Sequence, residues 1–181
     1  MKVINNFLPE DTFKKLQDKL TSPFFPWYYN PIVVYKDDPR NHFQFIHFLY
    51  NHHSRGRSSF FEIIEPVIDI INPLSLLRVK ANLVTRTDKI VEHSFHTDYK
   101  DDERITTGIL YINSNDGYTK FKIGKTHKSE ANKYIEFNST KFHTGTTCTD
   151  EKVRIVVNFN YIKSNTSFPG VEISKNESFG S

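Results

Sequence analysis

The chain has a single cysteine, Cys148, in 181 residues. One thiol cannot close an internal disulfide, so the sequence points to a reducing compartment and a fold held by its core. No apolar run approaches the length of a membrane span, and nothing near Met1 joins a charged segment to a short apolar one as a secretory leader does. A cytoplasmic chain with no membrane partner is therefore expected. Charge of one sign is lacking too, with 24 basic against 21 acidic residues and a net charge of +3. So small a surplus, without a clustered basic stripe, argues against nucleic acid as the partner. No internal repeat is present, and no feature specifies an oligomeric state. What is abundant is aromatic: 16 Phe, 9 Tyr and 1 Trp, in a length that suits one domain with a substantial core.

Residues 1–8, with Val3, Ile4, Phe7 and Leu8, read as a short strand. Pro9, Glu10 and Asp11 then open a helix, in which Phe13, Leu16 and Leu20 recur on one side and Lys14, Lys15, Asp18 and Lys19 on the other. Residues 22–57 are rich in aromatics, His and Pro without a sustained period. Short strands or a loop-rich wall are expected there, at 27–29, 32–35 and 43–50. His42, His47, His52 and His53 lack the spacing and the Cys or carboxylate companions of a second metal site. They are expected to be neutral surface side chains. Residues 58–71 read as a second helix, with Ser59 and Glu62 spaced as a capping box and Pro66 placed to kink or divide it. Beyond Pro73 the chain turns strand-like, at 76–85, 94–99, 105–112, 119–123, 133–138, 141–146 and 153–162. Strands following two helices predict a mainly β fold with flanking helices, a double-stranded β-helix (jelly roll) core with the N-terminal helices packed on one sheet. Residues 1–162 are expected to form the domain, with 1–75 as helical and loop support and 76–162 as the core. Residues 163–181 read as a polar tail, pinned if at all at Phe168-Pro169 or at Val171 and Ile173.

The chemistry concentrates in His93-Ser-Phe-His-Thr-Asp98, Phe142-His143 and Arg154. If the first segment is extended, His96 and Asp98 project from one face as side-by-side metal ligands. His143 from a distant strand would complete two imidazoles and one carboxylate, a set that suits Fe(II) and leaves coordination positions open. The competing reading is a surface hydrogen bond between His96 and Asp98. His93 has Phe95 where an acidic partner would be needed and is set aside. The alternation of 153–161 sends Val153, Ile155, Val157 and Phe159 one way and Arg154, Val156, Asn158 and Asn160 the other. A guanidinium on the inner face needs an anion, and a bidentate carboxylate is its best partner; Asp150 or Glu151 could also serve. Asn82 shares its strand face with Arg78 and Lys80 and is a candidate for the same cavity.

Taken together, His96-x-Asp98, Tyr111-Ile112-Asn113, Gly117-x-Thr119-x-Phe121, His143 and Arg154 resemble, in order and spacing, the 2-oxoglutarate and Fe(II)-dependent dioxygenases, in particular their prolyl-hydroxylase-like branch. The 117–121 and 143–147 segments are similar to bacteriophage or marine bacterial members, which would place a phage-encoded chain in the host cytoplasm. The resemblance implies that His96, Asp98 and His143 bind Fe(II), and that Arg154, Tyr111, Asn82 and Asn158 surround 2-oxoglutarate. Tyr111 could instead be a core tyrosine bonded to a backbone carbonyl. Dioxygen is the implied oxidant and ascorbate an allowed reductant. The implied reaction couples decarboxylation of 2-oxoglutarate to succinate with hydroxylation of an unactivated carbon, on a peptidyl proline or an amino acid. Val156 departs from the Ser or Thr common two residues after the Arg, which bears on how the carboxylate is held. Asp98 stands where halogenating relatives have a small residue, and so favours hydroxylation. Gly117, Thr119 and Phe121 read as structural, with Gly117 in a turn conformation that other residues avoid. Lys120, Lys122, Lys125, Lys128 and Lys133 read as a solvated face. The alternatives to hydroxylation of an amino acid or peptide are oxidative demethylation of nucleic acid, supported only by those lysines, and a metal-binding jelly roll without turnover.

Overall fold

The computed structural model describes residues 1–35, 42–54 and 56–164. Strand β1 (Lys2–Ile4) leads into helix α1 (Glu10–Thr21). The Pro9 carbonyl accepts the Phe13 N–H at 2.9 Å, and Pro9 has no N–H of its own to leave unpaired. Glu10 and Asp11 in the first turn and Lys19 in the last complement the helix dipole, while Phe13, Leu16 and Leu20 form the buried stripe.

The segment expected as one helix over 58–71 is divided into a 3-10 turn at Phe61–Ile64 and helix α2 (Glu65–Ile71). Pro66 sits in the first turn of α2. It cannot donate the bond back to Glu62 that a continuous helix needs, so the helix restarts there. The expected capping box of Ser59 and Glu62 is not formed. The Ser58 hydroxyl accepts the Phe60 N–H at 3.1 Å instead. That hydroxyl also lies 2.7 Å from His47 Nε2, and His47 Nδ1 is 2.7 Å from the Pro26 carbonyl. His47 is thus a buried, fully bonded histidine, against the surface expectation, and it ties the aromatic wall to the start of the second helical segment.

The larger sheet contains β1, β2 (Tyr28–Asn30), β3 (Gln44–Asn51), β5 (Pro73–Thr85), β6 (Ile105–Tyr111), β9 (Tyr134–Asn138) and β11 (Val153–Lys163), with β4 (Gly56–Arg57) paired to β3. Its order is β1-β9-β6-β11-β5-β3-β2. A smaller sheet, order β10-β7-β8, is built from β7 (Tyr118–Phe121), β8 (Thr126–Lys128) and β10 (His143–Gly145). On one face of the larger sheet α1 and α2 bury Phe13, Leu16, Leu20 and Val67 against Val79, Ala81, Ile155, Val157 and Phe159. On its other face Ile109, Tyr111, Ile135, Phe137 and Val156 meet Phe121 of the smaller sheet. This is a jelly roll with its helices outside one sheet, and β11 alternates between the two cores as its sequence requires.

Two expectations fail locally. Strand β8 has no counterpart in the sequence reading, and 94–99 is not a regular strand. Isolated bridges of Glu92 to Thr146 and of His96 to His143 hold that segment beside β10. Three residues lie between Glu92 and His96 but two between His143 and Thr146, so one extra residue breaks the ladder between the bridges. Segment 32–35 is likewise not a strand. Among the described residues no helix is long and apolar enough to cross a membrane. The tail positions Phe168-Pro169, Val171 and Ile173 lie outside the described residues.

Candidate functional site

The broken ladder places His96 and Asp98 opposite His143, with one ligand atom from each of the three within 4.8 Å of the others. His96 and His143 exchange backbone hydrogen bonds at 2.9 Å in both directions, which sets their rings 4.5 Å apart. In both rings Nδ1 faces a carbonyl oxygen, that of Ser94 at 3.3 Å for His96 and that of Lys141 at 3.0 Å for His143. A carbonyl only accepts, so Nδ1 carries the proton and the Nε2 lone pair is left for a metal. His96 Nε2 is 4.0 Å from Asp98 Oδ1.

The Asp98 carboxylate is held from three sides. Oδ2 accepts from Thr107 Oγ1 at 2.7 Å and Asn160 Nδ2 at 2.9 Å, and Oδ1 accepts from Arg78 Nη2 at 3.2 Å. Burial pushes its pKa up, but the charges of His143 and Arg78 and the bonds from Asn160 and Thr107 outweigh it and hold the carboxyl well below the usual range. Burial, then repulsion from His143, lowers His96 to about 4. At neutral pH the carboxylate is therefore ionised and the His96 imidazole neutral, the states in which they ligate. Among the described residues no other group of three His, Cys, Asp or Glu is arranged this way.

The three donors open into a cavity of about 310 Å³ between the sheets. Arg154, at the start of β11, points into it from a buried position. Its Nε donates to Ser129 Oγ at 2.8 Å and its Nη2 to Thr119 Oγ1 at 3.3 Å. Neither Asp150 nor Glu151 pairs with it; the Asp150 carboxylate accepts the Asp116 N–H instead. Burial lowers the guanidinium pKa, yet an arginine stays charged in proteins. Among the described residues this buried cation has no acidic partner, an arrangement that is costly until an anion arrives. The Tyr111 ring lies 5.8 Å from the guanidinium. Its hydroxyl is buried without a well-formed hydrogen bond, and burial raises its pKa to about 12 against the pull of Arg154 and Thr119. Tyr111 does not itself line the cavity.

Register relates the two halves of the site. Thr119 pairs with Gly145 and Phe121 with His143. Arg154 Nη2 reaches Thr119, whose β10 partner lies two residues from His143, a backbone step of roughly 6.7 Å. Asn82 and Asn158 line the wall between. Asn82 Nδ2 donates to the Lys80 carbonyl at 3.1 Å, whereas Asn158 Oδ1 is buried with no donor among the described residues. His93 is a buried cavity residue outside the donor group.

Sequence reasoning did not assign Thr107, Asn160 and Arg78 to Asp98, nor Ser129 and Thr119 to Arg154. Asn160 and Arg78 were visible on the polar faces of their strands; Ser129, in a loop after β8, gave no signal. Gly117 has no left-handed conformation; a side chain there would meet Arg154 Cδ at 2.7 Å. The lysine run is not one solvated face. Lys120 pairs with Glu92 at 2.9 Å, Lys122 stands over Phe142, and Lys133 is buried, paired with Glu130 and set over Tyr111.

No protein-family model matches the chain, and no curated protein matches it in sequence. Solved structures do. A prolyl hydroxylase from Trichoplax adhaerens, in complex with a hypoxia inducible factor oxygen degradation domain peptide fragment, matches with TM-score 0.62 and 14% identity over 90% of this chain and 83% of that one. A prolyl-4-hydroxylase from Pseudomonas putida gives 0.55 and 14% over 90% and 91%. HygX from Streptomyces hygroscopicus, with nickel and 2-oxoglutarate bound, gives 0.53 and 13% over 90% and 82%. The chain has the fold of prolyl hydroxylases and of alpha-ketoglutarate-dependent enzymes such as SnoN.

Proposed function

We propose that the protein is an Fe(II)- and 2-oxoglutarate-dependent dioxygenase that hydroxylates an unactivated carbon. The observation that carries this reading is the buried Arg154, without an acidic partner among the described residues, lining the same cavity as the His96, Asp98 and His143 donors. The shared fold supports it. In this reading His96 Nε2, His143 Nε2 and an Asp98 oxygen hold the metal on one face. Arg78, Thr107 and Asn160 keep Asp98 ionised and aimed. Arg154, braced by Ser129 and Thr119 and backed by the Tyr111 ring, takes the distal carboxylate of 2-oxoglutarate, with Asn82 along its flank. Bound Fe(II) supplies the oxidising chemistry with dioxygen, while 2-oxoglutarate leaves as succinate and carbon dioxide. The chain's own part is to exclude water and to fix the reacting partners. Residues 1–162 act as one unit, the helices buttressing the sheet that carries Arg154.

The substrate in this reading is an amino acid or a peptidyl proline, in keeping with the peptide bound to the Trichoplax neighbour. A nucleic-acid substrate is the less favoured reading, because Lys120 and Lys133 of the five lysines are paired within the chain. A purely structural metal site leaves Arg154 without a purpose. The test is an anaerobic titration of the metal-free protein with Fe(II) and then 2-oxoglutarate, followed by its visible charge-transfer band. Wild type is expected to show the band, His96→Ala to lack it, and Arg154→Ala to need at least tenfold more 2-oxoglutarate. A folded wild type that takes up iron but gives no band rejects the reading.

A further inference from the structure

Lys80 stands midway along β5 with its side chain in the cavity wall. Among the described residues its ammonium makes no hydrogen bond or ion pair, and the one acid nearby, Asp98, is already taken by Arg78, Thr107 and Asn160. Burial and the charge of Arg78 lower Lys80 to about 8, with Asp98 pulling the other way, so the group remains largely protonated at neutral pH. Its register partner on β11 is Asn158. Paired residues on one sheet face have Cβ atoms about 4.5–5.5 Å apart, so Lys80 and Asn158, whose Oδ1 has no donor among the described residues, rise from adjacent positions of the cavity wall. A cation and a lone acceptor from adjacent positions suit a ligand that carries a carboxylate next to an N–H. 2-Oxoglutarate has no N–H to offer, and Arg154 already answers its far carboxylate in the reading above.

We propose that the substrate is a free α-amino or imino acid, its carboxylate held by Lys80 and its N–H by Asn158. The assignment rests on the dioxygenase reading and deepens it, because an internal peptidyl residue has no carboxylate adjacent to its N–H. The remaining charges agree. Among the described residues Arg78, Lys80, Lys100 and Arg154 face the cavity and Asp98 is the one carboxylate that does, a field that draws small anions inward.

The test is calorimetric binding of each of the proteinogenic L-amino acids to the full chain loaded with Mn(II) and 2-oxoglutarate. At least one acid is expected to bind, and its carboxamide to bind at least tenfold more weakly. Lys80→Met is expected to weaken that acid by about tenfold or more while leaving 2-oxoglutarate affinity within about twofold; Lys80→Arg retains the acid. Removing an unpaired buried charge should leave the fold intact, as circular dichroism would report, and Lys80→Gln replaces Lys80→Met if it does not. If Lys80→Met weakens 2-oxoglutarate instead, Lys80 belongs to the cosubstrate and the proposal fails with the dioxygenase reading intact. The same holds if 2-oxoglutarate binds and none of the acids does, or if an acid and its amide bind alike. Failure of 2-oxoglutarate to bind wild type removes both readings together.

Discussion

At Gly117 a hydrogen atom stands where any other residue would place a methyl group or more. A Cβ there would lie 2.6 Å from the Thr147 carbonyl oxygen, 2.7 Å from Arg154 Cδ and 2.8 Å from Asn115 Oδ1. Backbone cannot retreat, so the arginine must. Gly117→Ala is expected to cost about 1–3 kcal/mol in urea denaturation, as overpacking does, and to weaken 2-oxoglutarate by displacing the guanidinium. A second prediction concerns His96. Its folded pKa of about 4 lies below the ordinary 6.5, so the unfolded chain takes up the proton first as pH falls. Stability of the metal-free protein should therefore drop on acidification from about pH 6.5 to 4, by on the order of 2 kcal/mol. Denaturation midpoints across that range, measured with chelator present, should flatten in His96→Gln. An unchanged slope would mean that His96 is charged in the folded state.

Strand β11 shows what one element can integrate. Its outward residues Ile155, Val157 and Phe159 carry the helices, and its inward residues reach Thr119 and Ser129 through Arg154 and the Asp98 carboxylate through Asn160. Helix α1 is anchored to that outward face by Leu20, which is fully buried. Leu20→Ala is expected to cost about 2–5 kcal/mol in chemical denaturation while leaving Fe(II) binding in the folded fraction unchanged, since the helix lies across the sheet from the donors. Loss of the charge-transfer band in folded Leu20→Ala protein would show that the two faces are coupled. The 92–98 segment behaves in the opposite way. Two isolated bridges and the backbone bonds of His93 to Gly145 and of Asp98 to Ser139 hold it, and side chains add to them: Glu92 accepts from Tyr118 and Lys120, and Asp98 is fixed by three donors.

For the molecule as a whole, a site whose Arg154 has no acidic partner among the described residues, beside the three donors of His96, Asp98 and His143, should be stabilised by its ligands in a set order. Mn(II) alone should raise the melting temperature, and 2-oxoglutarate should add a further rise that is much smaller without metal. Each ligand at a hundredfold its Kd contributes about 2.7 kcal/mol. Thermal melts of Arg154→Ala should keep the metal increment and lose the 2-oxoglutarate increment. Equal increments in wild type and variant would remove Arg154 from the cosubstrate site.

The periodicities of 9–20 and 153–161, the turn residues between strands and the order of His96, Asp98, His143 and Arg154 were legible because each depends on local spacing. The same spacing determined that β11 has a polar face with a cation in it. Local spacing could not reveal that the 92–98 stretch is broken by an extra residue, that His47 is buried, that Gly117 yields to Arg154, or that Lys120 and Lys133 find separate acidic partners. Those outcomes depend on which strand lies opposite. The sequence by itself determined the jelly roll and the residue types of the site. Only the tertiary structure decided that Asp98 is answered by Arg78, Thr107 and Asn160, and that Arg154 and Lys80 have no acidic partner among the described residues. Whether a charge is paired is settled by contacts between distant segments, and no one-dimensional pattern records them.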